Sequence, residues 1–211
     1  YLGMNLRREV IEAEEEASRK FGAGPGAVRF ISGTYAPHIE LEATLARFHG
    51  REAAMIFSSA YASMLGVFTP LVSEETALVS DALNHNCIIN AIKLARPKEK
   101  RVYRHNDVAE LDARLTEVEG CRRALVVTDG IFSMRGDEAP LPAIFAAARK
   151  HDAAFPENVV VIVDDSHGVG AFGATGRGTE EASGAGPADV LIGTLGKAFG
   201  VNGGYGTGAA G

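Results

Sequence analysis

The sequence predicts an α/β domain, a mostly parallel sheet flanked by helices. Three observations carry that prediction. From residue 53 onward, short apolar runs alternate with segments whose apolar residues recur every three or four positions, as strands joined by crossover helices do. Val159–Val163 is an unbroken apolar, β-branched run, the pattern of a strand buried on both faces. The strand runs also end in polar or glycine-rich residues, where open α/β sheets bind their ligands.

The elements follow in order. Leu6, Val10, Ala13 and Ala17 recur at helical spacing among Glu and Arg, predicting an amphipathic helix over 6–20 that stops at the Gly22–Gly26 turn cluster. Pro37 suits a first helical turn, and Leu41, Leu45 and Phe48 continue a second helix to Gly50. Ala53–Phe57 reads as a buried strand feeding a helix over Ala60–Val67 capped by Ser58-Ser59. Strands are expected at Thr76–Ser80, Arg101–Arg104, Ala124–Thr128, Val159–Val163 and, last, Val190–Ile192. Helices are expected through Ile88, Ile89, Ile92 and Ala95, through Val108, Leu111, Leu115 and Val118, and through Leu141, Ile144, Phe145 and Ala148. No internal repeat is evident, and the chain divides into an N-terminal helix with its glycine-rich loop over 1–40 and a large domain over 41–211.

Composition narrows the function. At 211 residues, 46% hydrophobic and 23% charged, the chain can build a core, and its 25 glycines follow no collagen period. No run reaches the roughly 18 apolar residues of a membrane helix, and the first residues show no basic-then-apolar leader, so a cytoplasmic protein without a membrane partner is expected. A net charge of −6 argues against a nucleic-acid partner. The basic stretch Arg96–Arg104 is broken by Glu99 and reads as a solvated loop. Cys87 and Cys121 lack metal-ligand spacing, so they read as two reduced, buried thiols and no metal is expected. His49, His105 and His151 read as surface residues, and His38 as a structural one at a helix start.

The strand ends suggest chemistry. Asp164 closes a doubly buried strand, so its carboxylate needs a partner, expected to be cationic; a helix-capping Asp is the alternative. Lys197 lies in the turn Gly193-Thr194-Leu195-Gly196-Lys197, where desolvation would make its amine a nucleophile toward a carbonyl. The helix start after Ser59 offers the N–H groups of Ala60 and Tyr61 to a dianionic phosphate, an ordinary N-cap being the alternative. A carboxylate for a ring nitrogen, a Schiff-base lysine and a helix N-terminus for phosphate are the parts that hold pyridoxal 5'-phosphate.

Six ordered stretches add a resemblance: Val28–Thr34, Ser80–His85, Thr128–Met134, Val163–Gly170, Gly176-Arg177-Gly178 and Gly193–Lys197. Together they resemble the α-oxoamine synthases, fold-type I pyridoxal-phosphate enzymes that condense an amino acid with an acyl-CoA. A glycine-rich dinucleotide motif is absent, since Gly200–Gly204 does not spell one after a first strand. The resemblance implies that residues 41–211 are the cofactor-binding large domain, apparently incomplete, with the small C-terminal domain missing from this chain.

Position by position, it implies that Lys197 is the Schiff-base lysine and proton carrier, and that Asp164 pairs with the pyridinium nitrogen. His85 would stack on the ring, Ser133 and His167 would bond its phenolic oxygen, and Thr194 with the backbone at Ala60 and Tyr61 would hold the phosphate. Asp129 matches an acidic position near the reacting centre. Ala60-Tyr61 stands where Gly-Phe or Cys-Phe is more usual in the family, and Arg135 replaces a common Asp. The Val-Arg-Phe-Ile-x-Gly-Thr and Asp-Ala-Leu-Asn-His wordings favour glycine and acetyl-CoA as substrates. Alanine with a pimeloyl thioester, giving 8-amino-7-oxononanoate, is the alternative within the family. A truncated, non-catalytic interaction domain is the alternative outside it. The family also implies a homodimer, for which the apolar Gly22–Ala27 loop could serve as interface or cofactor lid, or equally be a flexible surface loop.

Overall fold

The computed structural model describes residues 1–210. Strands β1 (Ala53–Phe57), β2 (Thr76–Asp81), β3 (Glu99–Tyr103), β4 (Arg123–Asp129), β5 (Val159–Asp164), β6 (Val190–Thr194) and β7 (Gly204–Gly208) form one sheet in the order β1-β7-β6-β5-β4-β2-β3. The pairs β3/β2, β2/β4, β4/β5 and β5/β6 are parallel, while β7 runs antiparallel to both β6 and β1. Val190–Ile192 is therefore not the last strand. The sequence Gly-Tyr-Gly-Thr-Gly of β7 has only Tyr205 and Thr207 among three glycines to announce it, and its neighbours pack closely on its backbone. A Cβ at Gly204 would stand 2.1 Å from the Ala60 nitrogen, and one at Gly208 would stand 2.8 Å from the Asp189 oxygen. β1, expected as a buried strand, is an edge strand: its residues are half-buried and Met55 is exposed.

The helices are α1 (Arg8–Phe21), α2 (Ala36–His49), α3 (Ala60–Leu71), α4 (Asn86–Ala95), α5 (Val108–Glu117), α6 (Leu141–His151) and the short α7 (Thr179–Ser183), the last also unannounced by the sequence. Central strands obey period two on two buried faces. Leu78, Leu125, Val127 and Ile162 pack on Met64 and Phe68 of α3 and Ile88 and Ile92 of α4. Val79, Val126, Val161 and Val163 point the other way, onto Leu111 and Leu115 of α5 and Leu141 and Ile144 of α6. That two-sided burial is why the sequence reads as continuous apolar runs. α1 buries none of its side chains. Among the described residues no helix is long and apolar enough to cross a membrane.

The division expected between residues 40 and 41 falls inside α2, which is continuous and packs Leu45 against Leu195 and Tyr205. His38 caps that helix by accepting from the Tyr35 N–H at 3.0 Å. The other three histidines correct the surface expectation. His49 is buried against the Tyr205 hydroxyl at 2.9 Å, and burial beside Arg51 and Arg177 pulls its pKa down to about 4. His151 is buried at the end of α6 with Nε2 2.9 Å from Asp112. His105 is largely enclosed between two carboxylates. Each sits where a helix end or loop returns to the sheet, so carboxylate or hydroxyl partners replace the water that a surface imidazole would use.

Candidate active site

Parallel register brings the site together. Asp129 and Asp164 are direct partners across β4 and β5, and Asp164 also faces Ile192 on β6. The carboxyl ends of β2, β4, β5 and β6 thus open on the same edge, with the N-termini of α3 and α4 beside them. A cavity of about 160 Å³ there is lined by Ala60, Tyr61, His85, Asp129, Ser133, Asp164, His167, Thr194 and Lys197, together with Ser59, Cys87 and Ser166. Every residue singled out for cofactor chemistry faces this one cavity.

Local hydrogen bonds fix the participants. Buried Asn84 ties β2 to β4, donating to the Ser80 hydroxyl at 2.9 Å and the Val127 carbonyl at 2.8 Å and accepting from the Asp129 N–H at 2.9 Å. The next N–H, of His85, donates to Asp129 Oδ2 at 3.0 Å. His85 then caps α4, with Nδ1 accepting from the Cys87 N–H at 3.2 Å. Nδ1 therefore carries no proton, and the tautomer with hydrogen on Nε2 follows. No Lys, Arg or His nitrogen among the described residues lies within ion-pair distance of Asp164, so a protein cation is not its partner. Its Oδ1 accepts from the Ser166 N–H at 3.1 Å and its Oδ2 from the Cys87 thiol at 3.4 Å. Neutral donors can satisfy a carboxylate where a parallel strand ends beside a helix start.

Burial first, and the neighbouring Asp164 second, push the Asp129 carboxyl well above the usual carboxylate range. Burial lowers the Lys197 pKa, while Asp164 and Asp129 work to hold its proton. Lys197 Nζ lies 2.8 Å from His167 Nε2, and burial together with Lys197 lowers the His167 pKa. A neutral His167 accepting at Nε2 carries its hydrogen on Nδ1, where the Tyr1 hydroxyl is its partner. Burial raises the Cys87 thiol pKa, so it stays protonated and donating.

The residues fit pyridoxal phosphate. Ser166 Oγ is buried at the cavity wall with no partner among the described residues, which is costly unless a ligand supplies one. Opposite, α3 begins at Ala60 behind the Ser59 cap, whose hydroxyl takes only the Ala62 N–H at 3.1 Å. First-turn N–H groups have no acceptor within the helix, so those of Ala60 and Tyr61 are free for an anion. Gly204 lets β7 press against this helix start. Three neighbours escaped the sequence reading. Cys87, two residues beyond His85, read only as a buried thiol, Ser166 lay within the Val163–Gly170 stretch but was given no role, and Tyr1 was given none.

Comparison with known proteins agrees with this geometry. Residues 1–210 match the family of class I and II aminotransferases. The chain is 44% identical over 206 residues to the 8-amino-7-oxononanoate synthase of Thermosipho melanesiensis, covering 97% of this chain and 51% of that protein. It is 46% identical over 210 residues to the mitochondrial 2-amino-3-ketobutyrate coenzyme A ligase of Bos taurus, covering 99% and 48%. The fold superposes on the Sphingomonas wittichii serine palmitoyltransferase with a TM-score of 0.92 at 35% identity, covering 99% of this chain and 51% of that one. A serine palmitoyltransferase solved with its pyridoxal-phosphate internal aldimine gives 0.90 at 36% identity. The chain spans about half the length of the curated relatives it matches. Pyridoxal phosphate is the cofactor these matches indicate. From the shared sheet, the lysine after β6 and the match over residues 1–210, it follows that this chain belongs to the class I and II aminotransferase family.

Proposed function

We propose that the chain forms the cofactor seat of an α-oxoamine synthase that joins glycine to the acetyl group of acetyl-CoA, giving 2-amino-3-ketobutyrate and free CoA. The observation that carries this reading is the convergence of Lys197, Asp164, His85 and the start of α3 on one cavity. When bound there, pyridoxal phosphate supplies the electron sink that lets an amino acid lose its α-proton.

The chain's own groups do the rest. Asp164, held by Ser166 and Cys87, would present its carboxylate to the ring nitrogen and favour a proton there. His85 would cover the ring, and Ser133 and His167 would bond its phenolic oxygen. The Thr194 hydroxyl and the N–H groups of Ala60 and Tyr61 take the phosphate. Lys197 would anchor the cofactor and, with its basicity lowered by burial, accept and return the α-proton at Nζ. Asp129, kept protonated more readily than a solvent carboxyl, supports proton handling beside it. The new bond joins the glycine α-carbon to the acetyl carbonyl carbon, and CoA leaves as the thiolate with the electrons of the broken C–S bond.

The motif wording supports glycine and acetyl-CoA, while the similar identity to 8-amino-7-oxononanoate synthases supports alanine and a pimeloyl thioester as a second reading. Free, buried Cys87 and Cys121 fit a reducing compartment such as the cytoplasm. The test is CoA release, followed with a thiol reagent, from the intact protein offered each amino acid with each thioester. Fastest release with glycine and acetyl-CoA is expected. A preference for alanine and pimeloyl-CoA would overturn the substrate assignment, and a protein that neither takes up cofactor nor releases CoA would be an interaction domain.

A further inference from the structure

His105 lies outside the cavity, yet it joins two of the loops that build it. It follows β3, and its ring bridges Asp81 at the end of β2, Nδ1 to Oδ1 3.0 Å, and Asp137 in the loop after β4, Nε2 to Oδ2 2.9 Å. Ionised carboxylates only accept hydrogen bonds, so a ring with a carboxylate on each nitrogen is satisfied as the imidazolium. The neighbouring Asn106 reinforces both contacts, its N–H donating to Asp81 Oδ2 at 2.8 Å and its amide to the Glu138 carbonyl at 3.1 Å.

Each carboxylate leads to a cavity residue. Asp81 Oδ1 also takes the Leu83 N–H at 2.8 Å, setting the turn that delivers Asn84 and His85. On the other side, Phe132 stands edge-on to the His105 ring with centroids 4.3 Å apart, and its N–H donates to the Asp137 carbonyl at 3.0 Å. Ser133 is the next residue, exposed at the cavity mouth. We propose that His105 is a positioning residue, an imidazolium clamp that holds the Ser133 loop against the His85 turn and thereby fixes the seat of the cofactor ring. The proposal rests on the reading of the cavity as that seat.

The clamp has a pH sense. The groups facing the ring are Asp81 from β2 and Asp137 from the Ser133 loop; Arg135 bonds Asp137 Oδ2 at 3.1 Å, and the buried Tyr103 phenol of β3 lies near Asp81. Burial alone would lower the His105 pKa, but hydrogen bonds to Asp137 and Asp81 outweigh it and raise the pKa above the ordinary histidine value. The clamp is therefore whole below that raised value and is lost as pH rises through it.

The experiment titrates pyridoxal phosphate into the intact protein by visible absorbance across this pH range, with the His105 ring followed by NMR in the same samples. A charge-assisted hydrogen bond of the usual strength predicts roughly a tenfold weakening of cofactor binding as the clamp opens, in step with the ring titration. His105→Gln should remove this step, and Asp137→Asn should move both its midpoint and the ring titration to lower pH, because one of the two carboxylates is gone. Asp137→Asn lies at the surface side of the loop and tests the clamp even if His105→Gln fails to fold. Binding that saturates but keeps its midpoint in Asp137→Asn overturns the clamp alone. A protein that takes up no pyridoxal phosphate at any pH overturns the cofactor seat and the clamp with it.

Discussion

Lys197 and Asp164 meet different electrostatic problems with the same neighbours. Burial favours the free amine of Lys197, and the carboxylates of Asp164 and Asp129 oppose that only in part, leaving an amine that loses its proton more easily than a solvent lysine. Lys197→Ala should lower turnover at least about a thousandfold and abolish fixation of cofactor to the protein by borohydride, because anchor and proton carrier vanish together. Fixation that persists on another lysine, seen by mass spectrometry, would refute the assignment. Asp164→Asn preserves the acceptor for the Ser166 N–H but removes the charge that, on the proposed function, holds a proton on the ring nitrogen. Turnover should then fall by roughly a hundredfold, about 3 kcal/mol of lost preorganised electrostatics, with cofactor still bound. Near-normal turnover in that variant would reduce Asp164 to a cap. These residues were legible because a parallel sheet sends polar side chains to a single edge, so reading off strand ends finds them. Cys87 was not legible, since a cysteine after a helix cap among apolar residues reads as core until the fold sets its thiol 3.4 Å from Asp164.

The elements were legible wherever packing repeats along the chain. Two-sided burial wrote β2, β4 and β5 as apolar runs, and one-sided burial wrote α5 and α6 as helical periods. β7 and α7 escaped because each offers little pattern: β7 has only Tyr205 and Thr207 between glycines that its neighbours press on, and α7 is only five residues long. β1 was found, but its edge position depends on β7 and was hidden with it. Gly204 makes the dependence testable. In Gly204→Ala the added methyl would fall 2.1 Å from the Ala60 nitrogen and 2.3 Å from the Ser59 carbonyl carbon, both backbone atoms that cannot turn aside. The start of α3 must move, so stability should fall by about 1–3 kcal/mol in chemical denaturation. Cofactor affinity should fall by more than the stability loss explains, because the N–H groups of Ala60 and Tyr61 move with the helix. An unchanged dissociation constant for pyridoxal phosphate would show that the phosphate is held elsewhere.

At the scale of the molecule, some of the most exposed apolar side chains are held outward by fixed backbone. Phe30 is 90% exposed and Ile31 74%, yet their π-type turn, Arg29–Gly33, is anchored: Arg29 donates to Glu42 at 3.0 Å, and Glu42 also takes the Ile56 N–H of β1 at 3.0 Å. Met134, 93% exposed, adjoins Ser133 at the cavity mouth. Large apolar side chains held outward by an ion pair suit an interface better than solvent, and the Met134 position would bring a partner to the rim of the site. We expect a two-fold homodimer in which each copy completes its partner's cofactor site, the commonest closed arrangement of identical chains. The intact protein should sediment as a dimer with cofactor bound. Phe30→Asp and Met134→Asp together should shift it toward monomer, since each removes about 2 kcal/mol of apolar burial, roughly thirtyfold in dimer dissociation. Cofactor retention should fall in parallel, because the rim of the cavity loses its neighbour. A wild-type protein that sediments as a monomer and turns over normally would exclude a shared site, and a double variant that stays dimeric would place the interface on another face.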